Sequence, residues 1–170
     1  MNYFELYQIP ISFQPNKALV KEKYFALSRK YHPDFFGNET EADQSQALEI
    51  SSSINKAFKV FSNLDSTIKY ILELKGLIEE EEKYQLPNSF LMEMMELNEE
   101  LMEAKMNEEK DEIEKCKLQI ENYSKHIFTE VSHIIQQEKI DEINEDDLLK
   151  VKEYFFKNKY LNRILDSLKS

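Results

Sequence analysis

Apolar residues in the first part of the chain recur at helical spacing. Val20, Tyr24, Leu27 and Tyr31 fall four, three and four residues apart, so they share one stripe of a helix expected over residues 17–31. Pro33 should stop that helix, because the residue before a proline is pushed out of the α region. Ile50, Ile54, Ala57, Phe58 and Phe61 provide a matching face on a second helix, over residues 41–62. The two should pack as a hairpin with His32-Pro33-Asp34 at its tip. A short turn over residues 4–8, ended by Pro10, precedes them. A helix over residues 66–75 follows, with Asp65 as its expected N-cap and Gly76 as a left-handed terminator.

Beyond Gly76 the pattern changes. Residues 79–83 form a charge run that reads as solvated and self-repelling, and with Pro87 it marks a domain boundary. Asn88 or Ser89 should then cap a helix reaching about residue 106. Asn107 and Asp111 should begin a second helix to about residue 137, and Asn144 precedes the acidic first turn of a third. The expected organisation is residues 1–76 as one domain, 77–87 as a linker and 88–170 as an antiparallel three-helix bundle. No internal repeat interrupts it.

Composition supports an all-α protein, since 170 residues contain only two glycines and four prolines. That length excludes a large multidomain enzyme. Charge separates the two parts: residues 1–75 hold nine Lys/Arg and nine Asp/Glu, so the whole net charge of -11 lies beyond them. An acidic second part argues against a nucleic-acid backbone as ligand. Cys116 is alone and can form no internal disulfide, which fits a reducing compartment. The first residues carry no targeting signal and no apolar run approaches membrane-spanning length, so a cytoplasmic protein is expected. No metal or cofactor is expected.

The richest chemistry lies in Tyr31-His32-Pro33-Asp34, followed by Ile54-Asn55-Lys56-Ala57-Phe58. A plain reading makes Pro33 a helix stop, Asp34 a turn residue and His32 an exposed bystander. In order and spacing, however, the two segments resemble the best-marked segments of the J domain. That resemblance implies that His32, Pro33 and Asp34 engage a DnaK-type chaperone and favour its ATP-hydrolysing state. Lys21, Lys23, Arg29 and Lys30 would steer the encounter with an acidic partner surface, although each could equally be a solvated helix position. Phe25 and Ala26 stand where two basic residues commonly follow the tyrosine in J domains, which points to a specialised chaperone.

In the second domain, residues 90–101 carry more apolar surface than one core stripe needs. Phe90, Met94, Leu97 and Leu101 share a side, while Leu91, Met92 and Met95 turn away from it beside Glu96, Glu99 and Glu103. An apolar patch with an acidic rim suits a binding surface, and methionines adapt to a partner's shape. A helix touching two neighbours could instead bury both stripes. Taken with Gly76, this stretch resembles the start of the C-terminal domain of HscB-type co-chaperones, the J proteins dedicated to iron-sulfur cluster assembly. That resemblance covers nearly the whole chain. It implies that Leu91, Met92, Met95, Glu96, Glu99 and Glu103 bind the cluster scaffold protein, together with an aromatic of the last helix matching Phe155 or a neighbour, Tyr154 or Phe156. Some members of that family carry an N-terminal cysteine-rich metal module, and no such module is expected here.

Other candidates are weaker. His126, Glu130 and His133 share a helix and could hold a metal, but helical histidines beside Phe128 and Ile134 more often pack or face solvent. Cys116 has no evident base nearby. His32 and Asp34 as a hydrolase's acid-base pair would need a pocket that a hairpin tip does not supply. The resulting expectation is a monomeric, non-enzymatic adaptor: it stimulates the ATPase of a DnaK/HscA-type chaperone and delivers an IscU-type scaffold to it. The alternative is a J-domain co-chaperone for a different client.

Overall fold

The protein is described by a computed structural model over residues 1–169. It contains α1 (Tyr3–Tyr7), α2 (Lys17–Lys30), α3 (Glu41–Phe61), α4 (Leu64–Leu74), α5 (Asn88–Met106), α6 (Lys110–Ile135) and α7 (Glu145–Ser167). Short 3-10 turns occupy Pro33–Phe36 and Ile140–Glu142, and no strand occurs among the described residues. The chain divides into two units: residues 1–76 with 135–144, and residues 77–134 with 145–169. Residues 135–144 therefore join the first unit, although sequence pattern placed them with the second domain.

Polar side chains start each helix of the first unit by satisfying a free backbone N–H. Asn2 accepts from the Glu5 amide at 2.8 Å while Glu5 reaches back to the Asn2 amide at 2.9 Å, closing a capping box. Asn16 accepts from Leu19 and Thr40 from Asp43. At α4 the cap is Asn63, which accepts from the Ser66 amide at 3.1 Å, and not Asp65. Asp65 lies inside the first turn, where its charge still suits the helix dipole. Gly76 ends this stretch with a φ of 70°, the left-handed conformation glycine adopts without a Cβ penalty.

The first core gathers Phe4, Tyr7, Phe13, Val20, Ile54, Ala57, Phe61, Ile68 and Ile71, all buried. Phe4 and Tyr7 pack on Phe61 with ring centres 4.9 and 5.2 Å apart. The Tyr7 hydroxyl donates to the Ile54 carbonyl at 2.7 Å, and burial, with Tyr24 second, pushes its pKa far above the usual phenol value. Along α2 the apolar stripe is fully buried only at Val20, whereas Tyr24, Leu27 and Tyr31 are half-buried. The hairpin thus thins toward its tip.

In the second unit each helix supplies one buried stripe: Phe90, Met94, Leu101 and Ala104; Cys116, Ile120, Ile127, Val131 and Ile134; Leu148, Val151, Phe155, Leu161 and Ile164. Helices α5 and α7 run parallel. Lys157 lies over the Phe90 ring near the start of α5, and Lys105 near its end donates to the Ser167 carbonyl at 3.2 Å. Helix α6 places Tyr123 beside Phe90, so all three helices meet there. Two local expectations change. Pro87 occupies the N-cap of α5 with no side-chain cap bond, so neither Asn88 nor Ser89 has that role. Asn107 is the C-cap of α5 and does not begin α6. The acidic run is also less solvated than its charge suggests: Glu82 pairs with Lys152 at 3.0 Å, both largely covered, and Lys152 lies over the Tyr84 ring. A single cation on α7 offsets the local repulsion.

Candidate functional site

The tip of the α2–α3 hairpin is built by backbone geometry. His32 caps the 3-10 turn Pro33–Phe36, its Nδ1 accepting from the Asp34 amide at 3.2 Å and its carbonyl accepting from the Phe35 amide at 3.0 Å. Pro33 supplies a fixed φ at the first position of that turn. Gln44, in the first turns of α3, reaches back to donate to the Glu39 carbonyl at 3.0 Å and the Gly37 carbonyl at 3.4 Å, closing the loop onto its own helix. The tip is therefore ordered while its side chains stay open: His32 and Asp34 are 54% and 88% exposed, with their Nδ1 and Oδ2 atoms 3.6 Å apart. Phe35, 71% exposed, sits edge-on to His32 with ring centres 6.2 Å apart. Helical periodicity does not single out Phe35, because it lies beyond the Pro33 stop and before α3.

The basic residues of α2 do not form one patch. At 100° per residue Lys23 and Lys30 lie on one flank of the apolar stripe, about 20° apart, while Lys21 and Arg29 lie on the other side of the helix. Lys30 also rests over the Tyr31 ring, its ammonium 5.2 Å from the centre. Lys21, Arg29 and Lys30 are exposed and Lys23 is half-buried. Away from the tip, Tyr24 packs tilted against Phe58 with ring centres 4.3 Å apart and donates to the Asn55 side chain at 3.2 Å, tying α2 to the marked segment of α3.

In the second unit α5 separates its faces cleanly. Phe90, Met94 and Leu101 point into the bundle, while Met92 and Met95 remain 65% and 58% exposed and Leu91 is half-buried. Glu96, Glu99 and Glu103 are exposed beside them. The second apolar stripe is thus not consumed by a neighbouring helix. Phe155 is placed differently: it is 9% exposed and packs on Phe156 at 5.2 Å. Of the three neighbouring aromatics Tyr154 is buried as well, and Phe156 is half-buried and stacked on Tyr84 at 4.6 Å.

Residues 86–169 match the sequence profile of the HSCB C-terminal oligomerisation domain. Over almost its full length the chain is similar to a Co-chaperone protein HscB homolog from Shewanella halifaxensis, at 34% identity over 170 residues covering 99% of this chain and 95% of that one. The chain belongs to the HscB co-chaperone family. A second HscB homolog, from Acinetobacter baumannii, is 30% identical over 168 residues, covering 99% of this chain and 88% of its own. Among solved structures, human co-chaperone protein HscB matches with a TM-score of 0.78 at 28% identity, covering 99% of this chain and 81% of that one. The chaperone HscB from Vibrio cholerae matches with a TM-score of 0.64, also at 28% identity, and covers 99% of both chains.

Cys116 is buried, and burial, followed by the Glu100 and Glu112 carboxylates, raises its pKa and keeps it a thiol. His126 pairs with Glu130 at 3.1 Å on an exposed face. Among the described residues no group of three or more His, Cys, Asp and Glu side chains is disposed to hold a metal, and no helix is long and apolar enough to cross a membrane.

Proposed function

We propose that this chain stimulates the ATPase of a DnaK/HscA-type chaperone and delivers an IscU-type scaffold protein to it, supporting iron-sulfur cluster assembly and protein maturation. Family membership supports a co-chaperone role. The observation that carries the finer reading is that one chain holds two exposed, unlike surfaces: the ordered His32-Pro33-Asp34 tip and the apolar, acid-bordered face of α5.

In this reading His32 and Asp34 contact the chaperone directly and bias it toward hydrolysis, while Lys21, Lys23, Arg29 and Lys30 speed the encounter with an acidic surface. Leu91, Met92 and Met95 anchor the scaffold, and Glu96, Glu99 and Glu103 screen and orient it at the rim. Phe155 supports that face from within the bundle. The chain performs no chemistry of its own. Holding both partners at once makes the second encounter intramolecular, which raises effective concentration.

A single-turnover ATPase assay tests this with purified chaperone, the full chain and scaffold. The chain should accelerate hydrolysis alone, and scaffold plus chain should exceed the product of their separate effects. Strict independence of the two effects would refute delivery, and no acceleration by the chain would refute the chaperone assignment.

A further inference from the structure

Met1 apart, all of the six methionines stand on α5, and of those five only Met94 is in the core. Met92, Met95, Met102 and Met106 are 65%, 58%, 57% and 83% exposed. At 100° per residue these four fall within an arc of about 80°. Glu99, Glu103 and Glu96 continue the same outward side. The row from Met92 to Met106 is about 21 Å long at 1.5 Å per residue. Beside its distal half, round the flank of α5 toward α6, lies a groove of about 370 Å³ lined by Glu100, Glu103, Ala104, Glu109, Glu112 and Lys115, with Lys115 the one cation of that lining.

We propose that the scaffold-binding face runs the whole length of α5, from Leu91 to Met106. Its distal half takes an apolar segment of the scaffold whose flanking lysine or arginine side chains enter the acidic groove. This rests on the reading that α5 holds the scaffold, and it adds the residues and the partner chemistry. Size favours it. The apolar anchors Leu91 to Met95 alone span about 6 Å, one turn of helix, and the rim to Glu103 lengthens the face to about 18 Å with carboxylates and no further apolar area, whereas a stable interface covers roughly 800 Å² on each partner. Charge selects the occupant, because apolar side chains edged by carboxylates are met best by apolar side chains edged by cations. A second copy of the chain is disfavoured, since a two-fold contact through this face would set Glu96, Glu99 and Glu103 against their own equivalents.

The test is calorimetric titration of the full chain with purified IscU-type scaffold, comparing the parent with Met102→Gln/Met106→Gln, with Glu112→Lys and with Leu91→Gln/Met92→Gln. A melting curve accompanies each. The methionine pair should weaken binding about tenfold. Glu112→Lys should weaken it comparably at low salt, with the loss shrinking as salt rises. The melt of the methionine pair should not move, and if it does the single Met106→Gln variant decides; Glu112→Lys should lower the melt only slightly, because it places a cation in the acidic first turn of α6. Parity of the methionine pair with the parent, while Leu91→Gln/Met92→Gln binds poorly, overturns the extension and leaves the scaffold reading standing. Parity of Glu112→Lys overturns the basic partner chemistry. A parent that fails to bind scaffold removes the reading and the extension together. A parent dimer in sedimentation that the methionine pair abolishes assigns the face to self-association instead.

Discussion

At the hairpin tip His32 is fixed by a capping bond, a proline turn and the staple from Gln44. On α5, Met92 and Met95 have only the helix beneath them. The tip presents few atoms in a fixed geometry, so under the proposed function its contacts would be directional and loss of one polar group should remove recognition. The α5 face is broad and non-directional. Under the proposed function, binding there would be shared among flexible side chains, and each substitution should take only a part. Polar precision and apolar breadth are two ways to present a surface, and the same mutation strategy should give opposite profiles at each.

The sharpest break would come at the tip. Asp34→Asn keeps the size of an 88% exposed side chain and removes its charge, so ATPase stimulation should vanish while the melt shifts by less than about 0.5 kcal/mol. A single-turnover assay with matched melting curves checks this; retained stimulation would show that the tip does not depend on its individual groups. Next in size is Phe155→Ala, which opens a cavity at a 9% exposed site and should cost about 3 to 5 kcal/mol in denaturant unfolding. A stable variant that has lost only scaffold affinity would move Phe155 from the bundle's support to its binding surface.

The exposed face should respond more gently. Met92→Gln/Met95→Gln should weaken scaffold binding about tenfold, about 1.4 kcal/mol, with stability unchanged. An all-or-none loss by calorimetry would erase the contrast with the tip. Smallest is Gln44→Ala, which removes two donors to loop carbonyls and should cost about 1 kcal/mol. Stimulation should fall a few-fold with scaffold binding intact. Unchanged stimulation would mean that His32 and the 3-10 turn hold the tip without the staple.

Much of the architecture is legible in local chemistry. Pro33, Asn16 and Gly76 act within a turn of where they stand, so the ends of α2 and α4 follow from them directly. The misassigned caps arose where two candidates lie close together, as with Asn63 and Asp65, because capping depends on the dihedral angles of one residue and not on its identity alone. Exposure of Met92 and Met95 was open, since periodicity identifies a second stripe without saying whether a neighbour covers it. Continuing the same wheel for three more turns would have reached Met102 and Met106. The burial of Phe155 and the ion pair of Glu82 with Lys152 depend on residues about 70 positions apart in the latter case, and no local pattern encodes them.

The assignment of residues 135–144 to the first unit has a consequence for heredity. The backbone passes from one unit to the other three times, after Gly76, after Ile134 and after Asn144, and the returning segment brings Asp141 to Lys75 at 3.1 Å along with the buried Ile140 and Ile143. A gene rearrangement that replaced residues 1–76 with the equivalent part of another co-chaperone would leave this segment matched to a surface it had not evolved beside. One crossover cannot trade such a unit cleanly, so its two halves should be transmitted and diversify as a single unit of descent.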